Sequence, residues 1–151
     1  MKVCVGGTFD VLHKGHRALL DKAFEIAGKD GMVYIGISSD SMARKKDDLV
    51  SDYERRKGEV IAYLKERGYT NYKIVPIHDK YGLTLDENFD VIVVSEETFD
   101  TAREINMIRK RKGLKEIKIE KIPLVMAEDG KPISSTRIRK GEINREGRIL
   151  G

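Results

Sequence analysis

Residues 2–27 read KVCVGGTFDVLHKGHRALLDKAFEIA. The opening Lys2-Val3-Cys4-Val5 is apolar and β-branched, as a short buried strand is. From Arg17 to Ala27 the apolar residues fall at Leu19, Leu20, Ala23, Phe24, Ile26 and Ala27, the spacing of an amphipathic helix. The polar run between them, Gly6 to His16, is therefore the turn of a strand-to-helix unit. The alternation continues outward from it. A helix from about 15 to 28 closes on Gly28, and Met32 to Ile37 reads as a second strand. Ser38 to Val50 is polar, with one short helical turn. Asp52 is placed to cap a helix ending at Arg67 before Gly68, and Tyr72 to Pro76 is the next strand. His78 to Asn88 is a loop, Asp90 to Val94 a buried strand, Phe99 to Lys112 a helix stopped by Gly113, and Lys115 to Ile122 a strand by alternation. Pro132 to Lys140 holds a last short helix, capped by Ser134 or Ser135. Strands alternating with helices predict a doubly wound, Rossmann-like α/β fold: a parallel five-stranded sheet with helices on both faces. The whole of 1–151 reads as one domain, with a polar, flexible tail at 142–151.

Composition narrows the function. The 151 residues suit a single domain with a sizeable core. The longest aliphatic run, Val91-Ile92-Val93-Val94, is far too short to span a membrane, and no hydrophobic leader precedes the first strand, so a soluble, cytoplasmic protein is expected. The single Cys4 packs as a small hydrophobe. A charged fraction of 36% with no Trp or Gln leans towards a thermophilic source. The net charge of +4 hides two basic groups, one from Arg103 to Lys115 and one at Arg137, Arg139 and Lys140, which suit a polyanionic partner. That partner is nucleic acid, an anionic membrane or a small substrate with several phosphates. The run lacks the aromatic motifs, zinc spacing and repeated basic stretches of nucleic-acid binders, so the polyphosphate is favoured.

Ligands of such sheets bind beyond the carboxyl ends of the strands, where the turn after the first strand borders the crevice. Gly6 and Gly7 let an anion approach the backbone, and the first N–H groups of the next helix point the same way. Neither the G-x-x-x-x-G-K-[ST] nor the G-x-G-x-x-G pattern is present. His13 and His16, three apart, share one side of the first helical turn, with Gly15 leaving room between them. A metal pair with Asp10 is the weaker reading, because the remaining histidine, His78, lies far off in a loop.

HKGH resembles the H-x-G-H signature of nucleotidyltransferases related to class I aminoacyl-tRNA synthetases, and Ile133 to Thr136 within ISSTRIR resembles their second signature. RKK at 44–46, PIHDKYG at 76–82, VVSEET at 93–98, INMIR at 105–109 and PLVMAEDGKPISSTRIRKGEI at 123–143 narrow the resemblance to phosphopantetheine adenylyltransferases of the archaeal and eukaryotic type. Ser95 to Thr98 stands where the bacterial branch has R-G-L-R.

The resemblance implies that the phosphate of 4'-phosphopantetheine attacks the α-phosphorus of MgATP in line, giving dephospho-coenzyme A and pyrophosphate without a covalent enzyme intermediate. It gives Thr8 and His16 the transferring phosphoryl group, and Gly7, Phe9, His13 and Gly15 the nucleotide side. Ser134, Ser135, Thr136 and Arg137 are expected on the β- and γ-phosphates, with Arg139 ranked behind them. Lys45 or Lys46 bridges the two phosphates, and Arg109, sharing a helix face with Asn106, takes over from the missing arginines. Asp10, Asp79, Tyr81 and Asn106 complete the acceptor side. Mg2+ enters with ATP, no protein metal site is expected, and a monomer without nucleic-acid or membrane partners is favoured. The alternatives are another H-x-G-H nucleotidyltransferase moving AMP or CMP to a different phosphorylated acceptor, and a non-catalytic nucleotide- or nucleic-acid-binding module.

Overall fold

The computed structural model describes residues 1–45 and 47–151. The strands are β1 (Lys2–Gly7), β2 (Met32–Ser38), β3 (Tyr72–Ile77), β4 (Val91–Val94) and β5 (Lys118–Lys121). The helices are α1 (Lys14–Ala27), α2 (Asp40–Arg44), α3 (Tyr53–Arg67), α4 (Phe99–Arg111) and α5 (Ser135–Arg139). All neighbouring strands run parallel in the order β3-β2-β1-β4-β5. From β1 the chain steps out to β2 and β3, then returns to β4 on the other side. The order therefore reverses between β1 and β4, and a crevice opens there at the strand ends.

Strand alternation divides the core. Val3 and Val5 of β1, with Val33, Ile35 and Val93, pack against Leu20 and Phe24 of α1 and Val60 and Leu64 of α3. Burying each of these larger side chains stabilises the fold by about 2–3 kcal/mol. The intervening Cys4 and Ile92 face the opposite way, towards Ile105 of α4, Phe89 and Ile117. Helices thus cover both faces. Asp52 caps α3 by accepting from Arg55 N at 2.9 Å, and Gly68 ends it at φ 77°.

Two segments depart from expectation. β5 begins at Lys118 rather than Lys115, because side chains of α4 claim the backbone before it: Arg109 Nε donates to Lys115 O at 2.7 Å, and the Asn106 amide pairs both polar groups of Ile117 at 2.8 Å. The polar tail is fastened rather than loose. Ile143 is fully buried among Ala127, Ile133 and Ile138, and it bridges to Ile149. Among the described residues no helix is long and apolar enough to cross a membrane.

Candidate active site

The crevice at the β1/β4 switch has a volume of about 610 Å³, with Gly7, Thr8, His13, His16, Ser134, Ser135, Thr136 and Arg139 on its polar side. The turn leading into it is strained. Phe9 and Val11 adopt φ of 53° and 47°, a region that costs a non-glycine residue about 1–3 kcal/mol. The Phe9 ring is fully buried in the core, 5.4 Å from the His16 ring, so only its backbone is left to meet a ligand.

The first turn of α1 is closed by its own histidines. His13 Nδ1 accepts from the backbone N–H of Gly15 at 3.0 Å and of His16 at 3.4 Å, while His16 Nδ1 accepts from His13 N at 3.2 Å. Lys14 N donates to Arg145 O and Arg17 N to His13 O. Every early N–H of α1 is therefore used, which corrects the expectation that they are free to hold a phosphate. The imidazoles replace them. Their rings stack at 3.7 Å and 19°, and Gly15 permits it, since a Cβ there would sit 2.9 Å from His13 Cε1. Burial, reinforced by Arg17 and Arg145, pushes His13 down to about 4. Burial, with His13 and Arg17 beside it, holds His16 well below the usual imidazole range. Both rings are neutral at pH 7. With Nδ1 accepting, each carries its proton on Nε2, and each lines the crevice.

The start of α5 is built differently. Ser134 caps it, accepting from Arg137 N at 3.2 Å, and Ser135 Oγ donates to Asp10 O at 2.6 Å. The backbone N–H groups of Ser135 and Thr136 have no partner among the described residues. Thr8 accepts from Ser38 Oγ at 3.2 Å, which leaves its own hydroxyl proton free.

Several expected residues stand elsewhere. Arg109 is 1% exposed and donates to Lys115 O, Thr84 O, Glu87 O and Asn88 Oδ1 at 2.7–2.9 Å. It borders a separate cavity of about 300 Å³ with Asn88 and Leu114, so it staples loops and does not replace the bacterial arginines. Asn106 is likewise spent on Ile117. Arg137 turns outward to Asp129 and Glu142. Arg139, ranked behind it, is the arginine that reaches the crevice, forked between Asp10 and Asp47. Asp10, 2% exposed, is taken by Arg139 and by Ser51 N at 3.1 Å, so it orients Arg139 instead of receiving an acceptor, and it is not free to join the histidines on a metal. Asp79 accepts from Tyr81 N and Gly82 N as a turn residue. Tyr81 does line the crevice, its hydroxyl on Glu104 at 2.5 Å. Lys45 is exposed at the C-cap of α2 and outside the crevice lining; Lys46 lies outside the described residues.

One residue gave no signal in the charged run Glu54 to Lys57. Arg56 is fully buried and donates to Ser51 O, Thr8 O and Ser38 O at 2.8–2.9 Å and to Asp40 at 3.1 Å. It fixes the turn that presents Thr8.

Residues 4–141 match the cytidylyltransferase-like family. The chain is 51% identical to a phosphopantetheine adenylyltransferase of Methanosarcina barkeri, covering 98% of this chain and 92% of the relative. It is 45% identical to one of Archaeoglobus fulgidus over 99% of this chain and all of that one. A crystal structure of an Archaeoglobus fulgidus protein described as of unknown function superposes with a TM-score of 0.75 at 41% identity, covering 81% of this chain and 89% of that one.

Proposed function

The chain belongs to the cytidylyltransferase-like family and, within it, to the phosphopantetheine adenylyltransferases, and from that premise we propose that it transfers the adenylyl group of ATP to 4'-phosphopantetheine. The products are dephospho-coenzyme A and pyrophosphate. The observation that carries this reading is that two segments more than a hundred residues apart, HKGH and ISST, place their donors around one crevice.

An oxygen of the acceptor phosphate bonds to the α-phosphorus as the bond from that phosphorus to the β-phosphate oxygen breaks. The nucleophile is already an anion at pH 7, so no general base is needed. What the protein supplies is alignment and donors for the charge spread over the phosphoryl oxygens. His16 Nε2–H and the Thr8 hydroxyl serve the transferring group, and His13 Nε2–H the nucleotide phosphates. A single donor of this kind is worth about 10²–10³ in rate. The open N–H groups of Ser135 and Thr136 suit the β- and γ-phosphates, which leave together as pyrophosphate. Arg139 adds charge there once the phosphates compete with the half-exposed Asp47. The bridging lysine stays in the proposal as Lys45 or Lys46. The acceptor's arm is assigned to the apolar side of the crevice, along Tyr34, Tyr81, Phe89, Ile92 and Ile105.

Among the described residues no group of three or more metal-ligating side chains is close enough to hold an ion. Mg2+ would enter with ATP, as part of the MgATP substrate, and neutralise its phosphates. The proposal includes a cytoplasmic monomer with neither nucleic acid nor membrane as partner, which light scattering and filter binding over a salt series check.

The deciding experiment offers the purified protein MgATP or MgCTP with a panel of phosphorylated acceptors and weighs the products. Dephospho-coenzyme A from ATP and 4'-phosphopantetheine is expected. Product from another pair alone would move the chain to a different H-x-G-H transferase, and nucleotide binding without product would make it a sensor.

A further inference from the structure

The fastened tail has a role that the motifs do not supply. Residues 142–150 fold back as a small hairpin: Ile143 bridges Ile149, Asn144 N donates to Arg148 O at 2.9 Å, and Leu150 N to Glu142 O at 3.0 Å. One flank of this hairpin touches the start of α1. Arg145 O accepts from Lys14 N at 2.9 Å, Arg145 Nη1 reaches Leu12 O at 3.4 Å and pairs with Glu59 of α3, and Glu146 pairs with Arg17. The other flank lies under the entry to α5. Gly147 O accepts from Glu128 N at 2.9 Å, and a Cβ on Gly147, at φ 84°, would sit 2.7 Å from Ile133 Cδ1, next to the cap Ser134. Ile143 packs fully buried against Ile133 and Ile138.

We propose that this C-terminal hairpin is a clamp that sets the spacing between the two phosphate-holding helix starts, with Arg145 as a positioning residue for His13 and His16. The inference rests on the adenylyl-transfer reading for its kinetic consequence, though not for its geometry. A helix start shifted by a fraction of an ångström on either side loses the in-line alignment of the transferred group, so the cost falls on catalysis before it falls on folding. Around the stacked imidazoles the charged groups are Arg17 on α1, Arg145 and Glu146 on the hairpin, and Glu59 on α3. Removing Arg145 strips one cation from His13 and leaves Glu59 unpaired, so both changes make His13 easier to protonate.

The test uses the full chain with Arg145→Gln, Arg145→Lys and Gly147→Ala. On the protein alone, the imidazole signals are titrated by NMR; with substrates, kcat and KM are measured beside Tm. For Arg145→Gln the His13 midpoint is expected to rise by roughly half a unit. The KM for ATP should rise about fivefold and kcat fall about tenfold, while Tm stays within a few degrees. Arg145→Lys should recover most of both. Gly147→Ala should repeat the kinetic loss without moving His13; if it fails to fold, Arg145→Gln alone decides. Unchanged kinetics in Arg145→Gln overturn the clamp whatever the His13 midpoint does, as does a loss of Tm and active fraction with KM intact. If the wild type shows no turnover, the functional reading falls and the titration still judges Arg145.

Discussion

The starts of α1 and α5 face the same crevice with opposite construction. α1 spends its backbone N–H groups on its own histidines and on the C-terminal hairpin, and offers imidazole protons instead. α5 spends a serine on its cap and keeps the N–H groups of Ser135 and Thr136 open. Backbone donors are fixed and sequence-tolerant, which suits gripping phosphates that only leave. The Nε2–H of His16, on a ring locked by stacking and a backbone bond, is aimed at one point, which suits the phosphoryl group that changes bonding. On the proposed reaction, α5 grips the leaving phosphates, while α1 brings His16 to the transferring group and His13 to the nucleotide phosphates.

The division is tested most severely by His16→Ala. Its kcat should fall about 10²–10³-fold with the KM for ATP little changed; an equal rise in KM would mean that α1 also does the gripping. Acid comes next, because only α1 carries titrating groups. Between pH 6.5 and about 4 the unfolded chain takes up a proton at His13 that the folded chain refuses. Stability therefore falls as pH drops through that window, by up to about 3 kcal/mol for His13. Urea midpoints should show this slope, and His13→Asn, which keeps a capping oxygen, should make it shallower while the His16 contribution remains. A smaller effect is expected from Ser135→Pro, which removes one open N–H at a first helical position that tolerates proline, with KM for ATP raised about tenfold over Ser135→Ala and kcat nearly kept. Smallest is Ser134→Ala, which loses the α5 cap at about 1 kcal/mol by thermal melting; a large drop in kcat there would erase the contrast.

Much of this was legible before the structure. Period and punctuation located all five strands and the capped helices, because Asp52, Gly68 and Gly28 act through local backbone chemistry. HKGH stood out by residue type at a helix start, and ISST through its resemblance to a family signature. Four arginines were harder to read. Spacing puts Asn106 and Arg109 on one face of α4 but does not say that loops 84–88 and 115–117 close over that face. Arg137 and Arg139, two apart, point to opposite sides of a short helix, and which side meets the crevice depends on Asp10, more than a hundred residues earlier. Arg56 is hidden in a charged run, and three of its four partners are carbonyls, which leave no mark in sequence. Tail residues 142–151 look loose because their charges find distant partners, Glu59 and Arg17, that composition does not reveal.

The most direct test of the account is pyrophosphate release in a single turnover. With MgATP alone, the wild-type protein should release none, and adding 4'-phosphopantetheine should release it at the rate dephospho-coenzyme A forms, slowed about 10²–10³-fold in His16→Ala. A burst equal to the enzyme concentration with ATP alone would reveal an adenylylated side chain and contradict a site that works by donors and alignment.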